Sequence, residues 1–159
     1  MSNTQHTRFP TVSGSNLEGR KFNVPADLAG DLNILFVPFQ QWHQSLVDRW
    51  MPFAKSITQK VPGVQAYELP TLERFNPIAR FWIDNGMRLG ISDRAVREST
   101  ITLYVDKRAF RAALAIPDES TIHVLLVQRN GDVLWRAEGE FTEAAGKSLT
   151  DAVLREAVL

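Results

Sequence analysis

The chain has 159 residues, 44% of them hydrophobic and 23% charged. That is enough for one core without a metal or a disulfide, since a domain of this size hides roughly 68 to 70% of its unfolded surface. Cysteine is absent, which excludes disulfides, zinc ribbons, cysteine-ligated iron–sulfur clusters and every thiol nucleophile, while eighteen basic side chains against eighteen acidic ones leave no electrostatic footprint for non-specific nucleic-acid binding.

Residues 1–8 hold one basic side chain and no apolar stretch, so they read as neither a secretory signal nor an Arg-rich transit peptide, and the expected location is cytoplasmic. Residues 1–32, punctuated by Pro10, Gly14, Gly19, Pro25 and Gly30, form an irregular N-terminal lead-in or a short surface hairpin, and 33–159 the main domain. Asn33 to Phe39 is a continuous apolar run that suits a strand covered on both faces. The run is far below the ~20 residues of a membrane span. From Gln40 to Lys60, Trp42, Leu46, Trp50, Phe53 and Ile57 recur at helical spacing, with a kink expected at Pro52.

Pro62-Gly63 ends that helix, and Val64 to Leu69 reads as a second strand stopped at Pro70. A helix is expected from Asn76 or Pro77 to Arg88, with Ile78, Phe81 and Trp82 inward. Thr100 to Val105 is a third strand, Lys107 to Leu114 a short helix, and Ile122 to Gln128 a fourth strand. Asn130-Gly131 predicts a type I′ turn, whose central residues both need positive φ, returning the chain antiparallel over Val133 to Ala137. Thr142 caps a last helix to Leu159, with Leu149, Val153 and Leu154 inward. Early strands separated by helices, followed by a hairpin, give an α/β chain with a mixed sheet, helices on both faces and an antiparallel C-terminal hairpin.

The segment His123-Val-Leu-Leu-Val-Gln-Arg-Asn-Gly-Asp-Val-Leu-Trp-Arg-Ala-Glu-Gly139, and the buried strand running into a helix that carries Pro52, resemble the thioredoxin-like superfamily, including its peroxiredoxin and thiol-oxidoreductase relatives. Arg97 to Thr100, Tyr104 and Val124 to Trp135 also resemble the thioredoxin-like assembly factors of the ATP synthase membrane sector. The resemblance implies a thioredoxin-like fold with its site at the start of the first helix, but the sulfur is gone. Anchoring the family's cysteine pair on the strand end lands near Gln41 and Gln44, and anchoring it on Pro52 lands near Gln44 and Val47. The peroxiredoxin alignment through Pro38 puts Ser45 at the peroxidatic position with Asp48 beside it, and a hydroxyl cannot take up the oxygen that a thiolate accepts. The proline that the family keeps directly before its site-facing strand is missing too, because Ser120-Thr121 stand there and Pro117 is too early.

The candidate binding surface is therefore Gln41, Trp42, His43, Gln44, Ser45 and Asp48, with Trp42 as an exposed aromatic anchor and the amides of the helix start open to an acidic group or anion. No catalytic residue is assigned. His43 and Ser45, two apart on a helix, diverge by about 200°. His6, His43 and His123 sit in different surroundings, so no metal and no cofactor is expected. Residues 71–111 carry eight basic and five acidic side chains, which makes Arg88, Arg94 and Arg97 a secondary candidate surface. The leading reading is a redox-inactive protein that binds a protein partner or a ligand, as an assembly factor does. An enzyme reusing the peroxiredoxin pocket for non-thiol chemistry and a homo-oligomerisation module are the alternatives, and a deep polar cleft at 41–48 would favour the enzyme.

Overall fold

The fold is seen in a computed structural model that describes residues 7–74 and 93–157. In chain order its strands are β1 (Val12–Asn16), β2 (Lys21–Val24), β3 (Leu32–Val37), β4 (Val64–Glu68), β5 (Thr71–Glu73), β6 (Ile101–Val105), β7 (His123–Gln128) and β8 (Val133–Glu138). The helices are α1 (Gln44–Lys60), α2 (Arg94–Ser99), α3 (Lys107–Ala113) and α4 (Glu143–Ala157), and a 3₁₀ turn at Gln41–His43 leads into α1. The helix expected over 76–88 lies outside the described residues.

Every residue of β3 is buried because two cores meet on it. Leu35 and Val37 face a cluster with Phe9, Phe22, Leu103, Phe110 and Leu125, whereas Ile34 and Phe36 face Val47, Trp50, Leu126, Leu149 and Val153 of the helix side. Alternation is thus present but hidden, since both faces are apolar. β3 pairs in parallel with β4 and antiparallel with β7, and β8 closes the order β4-β3-β7-β8. The lead-in takes its hairpin form: β1 and β2 pair antiparallel and join β6 and β5 in a second sheet, β2-β1-β6-β5.

β4 ends before Pro70 as expected, and the chain passes to the second sheet, where the Pro70 carbonyl accepts from Leu103 N–H at 2.8 Å and β5 follows in parallel with β6. Three expectations need correction. The buried stripe of α1 is Val47, Trp50, Ala54 and Ile57, with Trp42 pushed into solvent, because the first turn is 3₁₀ and shifts the phase of the stripe. Pro52 lies inside α1, as expected. The hairpin turn is not type I′: Gly131 (φ 100°) alone in it has positive φ, Gly131 N–H donates to Gln128 O, and Gln128 N–H donates to Asp132 O. This is a type I turn closed by a glycine bulge, which needs one positive φ rather than two. Leu154 points outward, 47% exposed, since Gly146, Leu149, Ala152 and Val153 already fill the inner face of α4. The α4 cap is as expected, with Thr142 Oγ1 accepting from Ala145 N–H.

Candidate functional site

The parallel step from β3 to β4 leaves the C-terminal end of β3 pointing at the start of α1, and Pro38-Phe39-Gln40 makes the turn. His43 is fully buried there. Its Nδ1 accepts from the amides of Phe39 (3.0 Å) and Gln40 (3.2 Å), while the His43 amide donates to the Gln40 carbonyl at 3.0 Å. With Nδ1 an acceptor, the proton sits on Nε2, which is buried without a hydrogen-bond partner among the described residues. Burial outweighs the pull of the Ser120 backbone and of Glu119, so the imidazole is held below its ordinary pKa and is neutral at pH 7.

The predicted site residues therefore divide rather than converge. Ser45 Oγ donates to the Trp42 carbonyl at 3.1 Å, Asp48 Oδ1 accepts from Gln44 Nε2 at 3.0 Å, and His43 serves the backbone. Neither His43 nor Asp48 is bonded to the serine hydroxyl, so the three make no nucleophilic constellation. The opening to an anion is also smaller than expected, because His43 and Gln40 already satisfy backbone amides at this terminus. Trp42 is the exception in the other direction. It is 60% exposed, held edge-on to the His43 ring with centroids 4.4 Å apart.

Two groups that the sequence reading did not single out complete the picture. Glu68, at the end of β4 and only 5% exposed, accepts from Gln44 Nε2 at 2.8 Å, so one amide serves both Glu68 and Asp48. Burial, with Gln44 opposing and Asp48 adding, raises the Glu68 carboxyl to about 7. Its one sequence signal is a charge inside an otherwise apolar strand end, Tyr67-Glu68-Leu69. Glu119, in the loop before β7, accepts from Lys107 Nζ at 3.0 Å and Gln40 Nε2 at 3.3 Å and lies 3.5 Å from Arg111 Nε. Lys107 Nζ also donates to the Phe39 carbonyl, and Arg111 to the carbonyls of Ile116 and Pro117. The loop is thereby tied by charge to the start of α1, and Ser120-Thr121, not a proline, lead from it toward β7.

The thioredoxin-like architecture is decided by comparison with solved structures. BsSco, a member of the Sco family of cytochrome c oxidase assembly proteins, superposes with a TM-score of 0.65 at 11% identity, over 100% of this chain and 98% of that one. A thiol:disulfide interchange protein from Bacteroides sp. gives 0.58 at 16% identity over 98% and 91%, and a thioredoxin family thiol:disulfide interchange protein from Chlorobium tepidum gives 0.59 at 14% over 98% and 99%. The fold is thioredoxin-like. No family model and no curated protein matches the sequence. On this thioredoxin-like frame the chain carries no cysteine at all, so thiol redox catalysis has no nucleophile.

Of the secondary candidates, Arg94 pairs with Glu98 at 2.9 Å within α2, and Arg97 with Glu18 at 2.7 Å, docking α2 on the β1–β2 turn. The Arg94 pair is exposed and lies within one helix, the Arg97 pair joins two elements, and Arg88 lies outside the described residues. The three histidines form no ligand set, and no metal-ligating cluster of three occurs among the described residues. His123 is buried, with Nε2 3.8 Å from Glu138 Oε2, and burial holds it below its ordinary pKa. No helix among the described residues is long and apolar enough to cross a membrane.

Proposed function

We propose that this protein is a redox-inactive thioredoxin-like binding protein of the cytoplasm, which captures a protein partner with the start of α1 and acts as an assembly factor does. The observation that carries the reading is Trp42, 60% exposed beside a histidine and a glutamine whose polar atoms are turned inward. A large aromatic held rigid at the surface costs little entropy to bury and makes a natural interface anchor. The alternative, an enzyme reusing this region, has Glu68 in its favour, since a carboxyl titrating near 7 suits proton transfer.

The test is capture of partners on immobilised wild-type protein, with affinity then measured for each one found. Trp42→Ala should weaken binding by about 2 kcal/mol, some thirtyfold, and Asp48→Lys should weaken it as well. Both should leave the melting temperature nearly unchanged, because exposed positions alter stability by about 0.5 kcal/mol or less. Unchanged binding by both variants rules out this surface.

A further inference from the structure

Among the described residues, β8 is an edge strand whose outer side is only partly used. At its first residue Val133 N–H donates to the Thr7 carbonyl at 3.0 Å, and Arg8 bridges Asp132 just before it, with an ion pair of 3.2 Å. From Leu134 to Glu138 no strand among the described residues lies outside it. The edge strand of the second sheet, β2, is guarded at its two ends by an exposed Lys21 and by Pro25, which are ordinary defences against pairing with another chain. The free part of β8, Leu134-Trp-Arg-Ala-Glu138, has neither a lysine nor a proline.

Arg136 and Glu138 are both exposed and two residues apart, so they stand on one face of the sheet. No ion pair engages Arg136 among the described residues, and the ion-pair contact of Glu138 is the 3.8 Å approach to His123. We infer that two copies of this chain pair antiparallel along β8 about a two-fold axis at Ala137, joining two four-stranded sheets into one of eight strands. In that register Arg136 stands opposite Glu138 of the second copy, and the symmetry makes the pair twice. The smallest side chain of the free edge, Ala137, meets itself on the axis.

The neighbouring registers fail on charge. Centring on Arg136 sets two guanidinium groups face to face, and centring on Glu138 sets two carboxylates. Centring on Trp135 brings Asp132 opposite Glu138 and needs the edge at Val133 that Thr7 already holds. The two charges thus select one register instead of blocking all of them.

Sedimentation velocity of the full chain, from about 10 μM to about 1 mM, tests this. Wild type should dimerise, and raising salt should weaken the dimer. Arg136→Glu and Glu138→Arg should each weaken it at least about tenfold, since each converts two attractive pairs into two repulsive ones. The double variant carrying both reversals should return to within about threefold of wild type. Melting curves confirm that these exposed changes leave the fold intact. A wild-type monomer at the top concentration overturns the proposal, as does a dimer indifferent to the single reversals or one not restored by the double variant.

Discussion

Along β3 and β7 six registers, from Leu32 opposite Gln128 to Val37 opposite His123, set apolar side chains on both faces of the sheet, with Asn33, His123 and Gln128 the exceptions. Over a similar length at the start of α1, from Gln41 to Asp48, polar groups dominate and nearly every one is tied to a specific partner. The first region is held by burial, which is non-directional and scales with area; the second by hydrogen bonds, each of which contributes about 1 kcal/mol when made and costs more when left open. A mutation in the first should be felt as a cavity. In the second it should be felt as a displaced proton or a lost contact.

The largest break in this comparison is Leu126→Ala. Leu126 is fully buried on β7 among the residues of the α1 and α4 side, and well-packed neighbours cannot collapse into the space it leaves. Urea unfolding should show a loss of about 2 to 5 kcal/mol. A loss under about 1 kcal/mol would remove the strand from the core and erase the contrast.

Next comes Glu68, whose effect follows pH where that of Leu126 does not. Its folded-state pKa of about 7 lies above the ordinary 4.5, so the folded protein holds this proton more tightly than the unfolded chain does. The stability tied to that proton is complete below pH 4.5 and is lost as pH rises through 7, a fall of up to about 3 kcal/mol. Glu68→Gln, which still offers an oxygen to Gln44, should remove the fall, leaving the variant more stable than wild type at pH 8. The histidines act with opposite sign: His43 and His123, both depressed, contribute stability above their ordinary value that disappears as pH drops. Taking wild type minus variant across pH isolates Glu68, because the histidine contribution is common to both. A flat difference would mean that the carboxyl is solvated.

The same division explains what could be read in advance. β3, β4, β6, β7, β8, α1, α3 and α4 announce themselves through period and turn chemistry, which are local properties of the chain. Burial of His43 was not legible, because it depends on two amides that precede it and on a loop more than seventy residues away. Glu119 and Lys107 look like ordinary surface charges until folding brings them to Gln40 and Phe39. α2 escaped notice because six residues with none buried leave no apolar period to read, although Asp93, accepting from the amides of Ala95 and Val96, is a standard capping residue for a new start.

The smallest effect sharpens the comparison inside the apolar region, at the one place where it too depends on directional contacts. Gly131 sits at φ 100°, its N–H donates to Gln128 O at 2.9 Å, and its carbonyl accepts from Phe9 N–H at 2.7 Å, so the turn also fixes the incoming chain ahead of β1. A Cβ at this position would strain the backbone and stand 3.2 Å from the Phe9 carbonyl oxygen. Gly131→Ala should cost about 1 to 2 kcal/mol, the ordinary penalty for a side chain in the left-handed region. A true type I′ turn would also need positive φ at residue 130, and in this structure that residue does not have it. Asn130→Ala should therefore cost less than Gly131→Ala, because it removes only the side-chain bonds to Asp132. Equal losses in urea unfolding would restore the type I′ assignment, and with it a hairpin whose register is set by two residues instead of one.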